Sequence, residues 1–115
     1  MPISIDSKNV EWEAPPEGHY LTDVKQKVLW TDEETGATIA LLKFPVGVEG
    51  EGHVHPEANQ YNYGLSGEVE RPDGSRVSIE GKLNIVPKGE RHGNANFAKE
   101  GISLFFWDGP PTREE

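Results

Sequence analysis

The sequence predicts a single all-β domain, and three observations support this prediction. Glycine and proline are abundant, with 13 and 9 residues among 115, and both favour turns. No long segment has the hydrophobic period of an amphipathic helix. Short apolar segments alternate instead with turn-forming clusters, which is typical of β-sandwiches and β-barrels. A chain of this length can bury one hydrophobic core, so residues 1–115 are expected to fold as one unit.

The charge balance limits the classes of partner. Lysine and arginine total 11 against 20 aspartate and glutamate residues, which gives a net charge of −9. An acidic chain without a basic stripe is a poor binder of nucleic acid and of anionic membranes. Cysteine is absent, so neither disulfides nor thiolate metal sites can form. The sequence shows no signal peptide and no apolar run of transmembrane length, so a cytoplasmic protein is expected.

The first half of the chain predicts an arm followed by a hairpin. Residues 1–20 are polar and contain adjacent prolines, so they are expected to form an N-terminal arm or edge strand. Residues 24–30 partly alternate between apolar and polar side chains and predict a strand. A polar turn at 31–36 leads into a second, more apolar strand at 37–44. This hairpin continues directly into a segment that contains histidines.

The second half predicts four further strands, at residues 61–70, 76–79, 83–86 and 102–107. A turn with the sequence Pro-Asp-Gly-Ser joins the first two of them. The last of the four strands is the most apolar. Residues 109–115 contain adjacent prolines and several charged residues, so they are expected to form a frayed tail.

His53 and His55 form the first candidate for a functional site. They are separated by one residue, and side chains two positions apart on a β-strand point to the same face. Their imidazoles can therefore reach one common atom. Gln60 could supply a third donor from the next strand. Neutral imidazole is the commonest protein ligand for metals, so this segment predicts part of a metal site.

His92 adds a third imidazole to this pattern. It follows a predicted strand and a tight reversal at Pro87 and Gly89. Such a reversal can return His92 to the level of the first two imidazoles. His19, the remaining histidine, lies in the proline-rich arm and is expected to be a solvated surface residue.

These residues resemble the two sequence motifs of the cupin superfamily. The first motif spans residues 47–67, and its matching positions are Gly47, His53, His55, Gln60 and Gly67. The second spans residues 81–96, and its matching positions are Gly81, Pro87, Gly89, His92 and Asn96. The resemblance implies a small β-barrel of the jelly-roll type with a metal in its mouth, and commonly a homodimer. It also implies one divalent transition metal per chain (Fe, Mn, Ni or Zn), bound by His53, His55, Gln60 and His92.

Gln60 stands where the cupin pattern has a glutamate. Its amide offers a neutral carbonyl oxygen, so three imidazoles and this amide would leave a divalent ion with its full positive charge. Such a site favours an anionic oxygen ligand, and the expected partner is a small molecule that is anionic or enolisable. Gln60 could instead lie just outside the ligand set.

Beyond these ligands, no residue stands out as a catalytic acid or base. Three glutamates flank the ligands and are expected to be solvated loop charges, namely Glu51, Glu57 and Glu90. The residues expected to surround the ligands are Tyr61, Asn62 and Tyr63.

Three functions agree with this pattern. The preferred one is an Fe(II) dioxygenase acting on a chelating enol or diketone, because metal and substrate then supply most of the chemistry. The second is a redox-neutral lyase, isomerase or cyclase, similar to cupins that convert unsaturated uronates. There the metal acts as a Lewis acid, and Tyr61, Tyr63 or a nearby carboxylate must move a proton. The third is a metal-dependent binding or sensor protein without catalysis.

Overall fold

The computed structural model describes residues 2–16, 23–47, 52–93 and 96–114. Its six strands are β1 (Lys25–Thr31), β2 (Thr38–Phe44), β3 (Gln60–Glu70), β4 (Arg76–Ser78), β5 (Leu83–Val86) and β6 (Asn96–Trp107). Helical structure in this part of the chain is confined to a short 3-10 turn at Ser7–Asn9. The prediction of an all-β domain is therefore confirmed. None of the described helical segments has the length and hydropathy needed to cross a membrane.

The strands form an antiparallel sheet in the order β1-β2-β6-β3-β4, with β5 paired to β3. Strand β3 is central because β6 runs along one of its edges, while β5 and β4 share the other. The register places Gln60 opposite Trp107 of β6 and opposite Val86 of β5. Gln60 is thus held on both sides at the beginning of β3.

The hydrophobic core lies on one face of β2 and β6. Along β2, every second residue from Thr38 to Phe44 is buried, which is the period expected of a strand with one face on the core. The Phe44 ring stacks on that of Phe97, with ring centroids 5.0 Å apart. Phe105 continues the cluster and stacks on Trp107 at 5.4 Å. These four aromatic rings belong to the hydrophobic core of the domain.

The predicted turns are confirmed at both hairpins. Between β1 and β2, the N–H of Gly36 donates to the carbonyl of Asp32 at 2.7 Å, and Gly36 has a φ of 78°. A positive φ is readily adopted by glycine because it has no Cβ. Between β3 and β4, Asp73 accepts hydrogen bonds from the backbone and the hydroxyl of Ser75. This arrangement is typical of an aspartate at a turn.

Strand β6 begins at Asn96, earlier than the predicted start at residue 102. The prediction missed this part because residues 96–101 are mostly polar or small, and Phe97 is their single large apolar side chain. Here β6 extends along the second half of β3, and Lys99 forms an ion pair with Glu68 at 2.9 Å. The pairing with the central strand β3 therefore makes this segment a strand, although its own sequence predicts one only weakly.

Both ends of the described chain pair with the body of the domain. In the N-terminal arm, Glu13 and Gln26 exchange two backbone hydrogen bonds of 2.8 Å, which extends the edge of β1. At the other end, Glu114 pairs with Val54. The expectation of a frayed tail over residues 109–115 is wrong for its described part, because this pairing satisfies backbone groups that fraying would leave to water.

Candidate metal centre

The segment that carries His53 and His55 is hydrogen-bonded along both edges. His53 and His92 form an antiparallel bridge, and the backbone N–H of each donates to the carbonyl of the other at 2.8 and 2.9 Å. On the opposite edge, Val54 and Glu114 exchange hydrogen bonds of 2.7 and 2.9 Å. Successive strand residues direct their backbone groups to opposite edges, so both pairings can form together. The histidine segment is fixed between residue 92 and the C-terminal segment.

The three imidazoles converge on one region. The residues His53 and His55 are only 4% and 3% exposed, and His92 is half-buried. The ring centroid of His53 is 4.3 Å from that of His92 and 5.0 Å from that of His55. One candidate ligand atom from each residue lies within 4.8 Å of the other two. These histidines could therefore hold a metal ion.

Gln60 lies beside His55, and its amide orientation is fixed by its neighbours. The indole Nε1 of Trp107 donates to Oε1 of Gln60 at 3.0 Å. The Nε2 group of Gln60 in turn donates to Oδ1 of Asn62 at 3.2 Å. Because an indole N–H can only donate, the atom of Gln60 that faces Trp107 must be the oxygen. The carbonyl oxygen of Gln60 is thus held near the imidazoles.

His55 and Gln60 direct two acceptor atoms at one another. Nδ1 of His55 lies 2.9 Å from the carbonyl oxygen of Thr112, and a carbonyl only accepts, so Nδ1 carries the proton. In the neutral ring, Nε2 is then an acceptor. It lies 3.1 Å from Oε1 of Gln60, which is also an acceptor. Two acceptors at this distance repel unless a metal ion or a second proton on the ring lies between them, so with a neutral ring this set of donor atoms fits a metal ion.

The surroundings of His55 and His92 favour the neutral form of both rings. Burial lowers the pKa of His55, and the positive charge of Arg113 adds to this effect, against the hydrogen bond to Thr112. Burial also lowers the pKa of His92, against the contact with the carbonyl of Glu90. Neutral imidazole is the protonation state that binds metals. The rings of His55 and His92 are therefore suited to metal binding near neutral pH.

A cavity of about 430 Å³ adjoins two of the three histidines. Its wall includes His53, His92 and Gln60, and much of the remainder is apolar. The aliphatic and aromatic lining residues are Phe44, Val69, Ile79, Ile85, Val86, Phe97, Phe105 and Trp107. Among the described lining residues, Lys82 and Arg113 carry full charges, and neither a carboxylate nor a tyrosine is present. The cavity is large enough for a small organic molecule.

The structure places Asn62 near the candidate ligands but turns Tyr61 and Tyr63 away. Asn62 lines the cavity and accepts the hydrogen bond from Gln60. Side chains alternate along β3, so Tyr61 and Tyr63 lie on the opposite face. Tyr61 stacks there on Phe106, and Tyr63 is 43% exposed. The expectation that both tyrosines surround the ligands is corrected by this alternation.

The other residues singled out in the sequence lie outside the cavity wall or outside the described residues. Glu57 and Glu90 are exposed, as expected, although Glu57 accepts a hydrogen bond from the hydroxyl of Thr112 at 2.7 Å. Asn96 is the exposed first residue of β6. His19 and Glu51 belong to the segments outside the described residues.

Sequence reasoning missed the parts of the site that the C-terminal segment supplies. Thr112 accepts the hydrogen bond from His55, and Arg113 lines the cavity. The proline-rich composition of this segment indicated fraying, and no local signal predicts its pairing with Val54. The hydrogen bond from Trp107 to Gln60 was also missed, because it depends on the register between β6 and β3.

The lowered histidine pKa values predict a pH-dependent stability of the metal-free protein. The unfolded chain takes up protons near pH 6.5, whereas the buried rings resist them, so acidification below this pH destabilises the fold. We expect the wild type to lose more stability than a His55→Gln/His92→Gln double variant between pH 7.5 and 5.5, since the variant lacks both rings. Urea unfolding of chelator-treated protein measures this difference. Equal pH slopes in the two proteins would contradict the assignment of buried neutral rings.

Comparison with known proteins assigns the chain to a family. The model of the ChrR cupin-like domain matches residues 1–112. Among curated proteins, no significant match is found.

Solved structures share the fold. The chain is similar to an RmlC-like cupin protein from Ralstonia eutropha JMP134, at a TM-score of 0.74 and 25% identity, covering 92% of this chain and 68% of that one. It is similar to an acetylacetone dioxygenase from Acinetobacter johnsonii, at a TM-score of 0.71 and 19% identity, covering 95% and 74%. It is also similar to the polyketide cyclase RemF from Streptomyces resistomycificus, at a TM-score of 0.72 and 19% identity, covering 100% and 83%.

The last two likenesses, below 25% identity, bear on the fold alone. Together with the family match over residues 1–112, they confirm the predicted cupin fold. The chain belongs to the ChrR cupin-like family.

Proposed function

We propose that His53, His55 and His92 bind one divalent transition metal, with the carbonyl oxygen of Gln60 as a fourth ligand. The proximity of the three imidazoles supports this proposal, since their candidate ligand atoms lie within 4.8 Å of one another. The two acceptor atoms of His55 and Gln60, 3.1 Å apart, support the place of Gln60 in the set. Iron, manganese, nickel and zinc all accept imidazole and amide oxygen ligands.

The proposed ligand set is uncharged, and this determines which small molecules it favours. Neutral imidazoles and an amide leave the ion with its full positive charge, so an anionic or enolisable molecule gains the most from binding beside it. The largely apolar cavity wall strengthens such an attraction because it excludes water. We propose a small anionic or enolisable molecule as the partner. The cytoplasmic location stays a prediction from the sequence.

The proposed reaction is oxygenation of a chelating enol or diketone, with iron as the metal. When bound, the metal supplies Lewis acidity and redox chemistry with O₂. The observation that carries this choice is the cavity lining, which among described residues contains neither a carboxylate nor a tyrosine. A reaction that needs few protein acids and bases suits such a lining. The residues of the chain then bind and orient the substrate and exclude water through Phe105, Trp107 and their apolar neighbours.

The redox-neutral alternative requires a proton carrier. Tyr61 and Tyr63, the candidates from the sequence, lie on the other face of β3, which weakens this alternative. Lys82 lines the cavity and carries exchangeable protons, so a lyase, isomerase or cyclase would have to use it or a water molecule. A metal-dependent binding protein without catalysis is the third possibility, and it needs no proton carrier.

We also propose a homodimer formed through the outer face of β3 and β5. This face exposes large apolar side chains, with Tyr63 and Leu65 each 43% and Leu83 59% exposed. A contiguous apolar surface of this kind marks an interaction site. A second copy of the chain would cover it.

Loss of metal from a ligand variant tests the proposed centre. We expect about one metal ion per chain in wild-type protein purified without a chelating column, and a loss of stoichiometric metal in His55→Ala, since one of three imidazoles is removed. Elemental analysis by mass spectrometry measures the content. The matched control is His19→Ala, which should keep the wild-type content. Undiminished metal in His55→Ala would contradict the ligand assignment.

A metal titration tests whether Gln60 belongs to the ligand set. In a Gln60→Ala variant we expect the metal to remain bound with an affinity lower by at least about tenfold. An unchanged affinity would place Gln60 outside the ligand set.

Oxygen consumption tests the proposed reaction. With Fe(II) loaded, wild-type protein should consume O₂ in the presence of pentane-2,4-dione or a related enol, and His55→Ala should not. An oxygen electrode combined with product analysis measures both quantities. Substrate conversion without O₂ consumption would favour the redox-neutral alternative, and binding without any conversion would favour the binding protein.

Light scattering tests the proposed dimer. The wild-type protein should have twice the mass of one chain, and a Leu65→Glu/Leu83→Glu variant should shift to the monomer because each charge would be buried in the interface. The control is Ile3→Glu, at a residue that is 71% exposed in the N-terminal arm, and it should stay dimeric. A monomeric wild type would contradict the proposal.

A further inference from the structure

The pairing of the C-terminal segment determines where Arg113 lies. Val54 and Glu114 exchange two backbone hydrogen bonds, so they form a hydrogen-bonded antiparallel pair. In such a pair the preceding residue of one strand lies opposite the following residue of the other, which places Arg113 opposite His55. Because side chains alternate, Arg113 lies on the face that carries His55, at a Cβ separation of about 5 Å.

Contacts of Thr112 hold this register in place. Its carbonyl oxygen accepts from Nδ1 of His55 at 2.9 Å, and its hydroxyl donates to Glu57 at 2.7 Å. Arg113 is therefore flanked on both sides by residues bonded to the histidine segment. Its half-buried side chain lines the same cavity as His53 and His92. The positive charge also contributes to the lowered pKa of both His55 and His92, as expected for a neighbour of the rings.

The charge of the cavity wall is opposite to that of the whole chain. The chain carries a net charge of −9, whereas the described side chains that line the cavity include Lys82 and Arg113 and no carboxylate. Low-dielectric walls of one charge sign concentrate ligands of the opposite sign. The cavity is therefore suited to an anion, independently of any charge supplied by a metal.

We propose that Arg113 binds a carboxylate of the substrate while oxygen atoms of the same molecule face the three histidines. This inference rests on the proposed metal function and narrows its substrate to an enolisable carbonyl compound that carries a carboxylate, such as a diketo acid. A guanidinium suits this role because its planar fork forms two parallel hydrogen bonds with a carboxylate.

Lys82 is less suited to bind that carboxylate in a small molecule. It lies four residues before Val86, which pairs with Gln60. At the rise of a β-strand, this separation is about 13 Å along the sheet. Arg113 is opposite His55 itself, so a carboxylate only one or two bonds from the chelating oxygens can reach it.

A matched pair of probes tests the role of Arg113. Pentane-2,4-dione and 2,4-dioxopentanoate share the diketone and differ only in that a carboxylate replaces one methyl group. Calorimetric titration into Zn²⁺-loaded protein, in which no redox turnover occurs, gives the ratio of their affinities for each variant. We expect Arg113→Gln to lower the wild-type preference for 2,4-dioxopentanoate by about tenfold, because its affinity for this probe falls more than its affinity for pentane-2,4-dione. Arg113→Lys should restore part of the preference.

Arg76→Gln is the control, because it removes the same charge from an exposed position on β4. It should keep the wild-type ratio. An unchanged ratio in Arg113→Gln would overturn the proposal, and so would a wild type without preference for the carboxylate.

The metal content of each sample distinguishes a failure of the proposed metal function from a failure of the proposed carboxylate binding. If wild-type protein binds no Zn²⁺, the proposed metal function fails, and the titrations are carried out on the metal-free protein. A preference that depends on Arg113 would then still support carboxylate binding at this residue. Equal ratios in wild type and Arg113→Gln without metal would overturn it.

Discussion

The candidate site depends on the backbone pairing between His53 and His92. Their reciprocal hydrogen bonds, at 2.8 and 2.9 Å, join two segments that are far apart in the sequence. Because the two residues are directly opposite each other, their imidazoles lie side by side, with centroids 4.3 Å apart. His55 then needs only the alternation of a strand to point to the same place. One pairing therefore assembles three imidazoles, and the sheet keeps them together.

The edge of the histidine segment that pairs with the C-terminal segment orients the candidate ligands. Thr112 and Glu114 occupy it, and through the Thr112 carbonyl they fix which nitrogen of His55 carries the proton. Trp107 does the same for the amide of Gln60 by donating to its oxygen. The first contact leaves Nε2 of His55 as an acceptor, and the second holds Oε1 of Gln60 close to it. Neighbouring hydrogen bonds commonly orient metal ligands in this way. The geometry of the candidate centre thus extends into β6 and the C-terminal segment.

Much of this arrangement is predictable from the sequence, and the remainder has identifiable physical reasons. Turn residues and alternation predicted all six strands, and the histidine spacing predicted the three imidazoles. The face of β3 that points inward was not predictable from hydrophobicity, because the more apolar face, with Tyr63 and Leu65, is exposed, whereas Gln60 and Asn62 point inward. The place of Arg113 depends on long-range backbone hydrogen bonds to Val54, and such bonds leave no local pattern in a proline-rich segment.

Anomalous diffraction from crystals grown with Zn²⁺ tests the central claim most directly. Convergence of the imidazoles on one cation predicts a single strong peak about 2.1 Å from one nitrogen each of His53, His55 and His92. The same map would show whether the carbonyl oxygen of Gln60 completes the set. A map without a peak among these three rings, or with zinc only at surface carboxylates, would contradict the account.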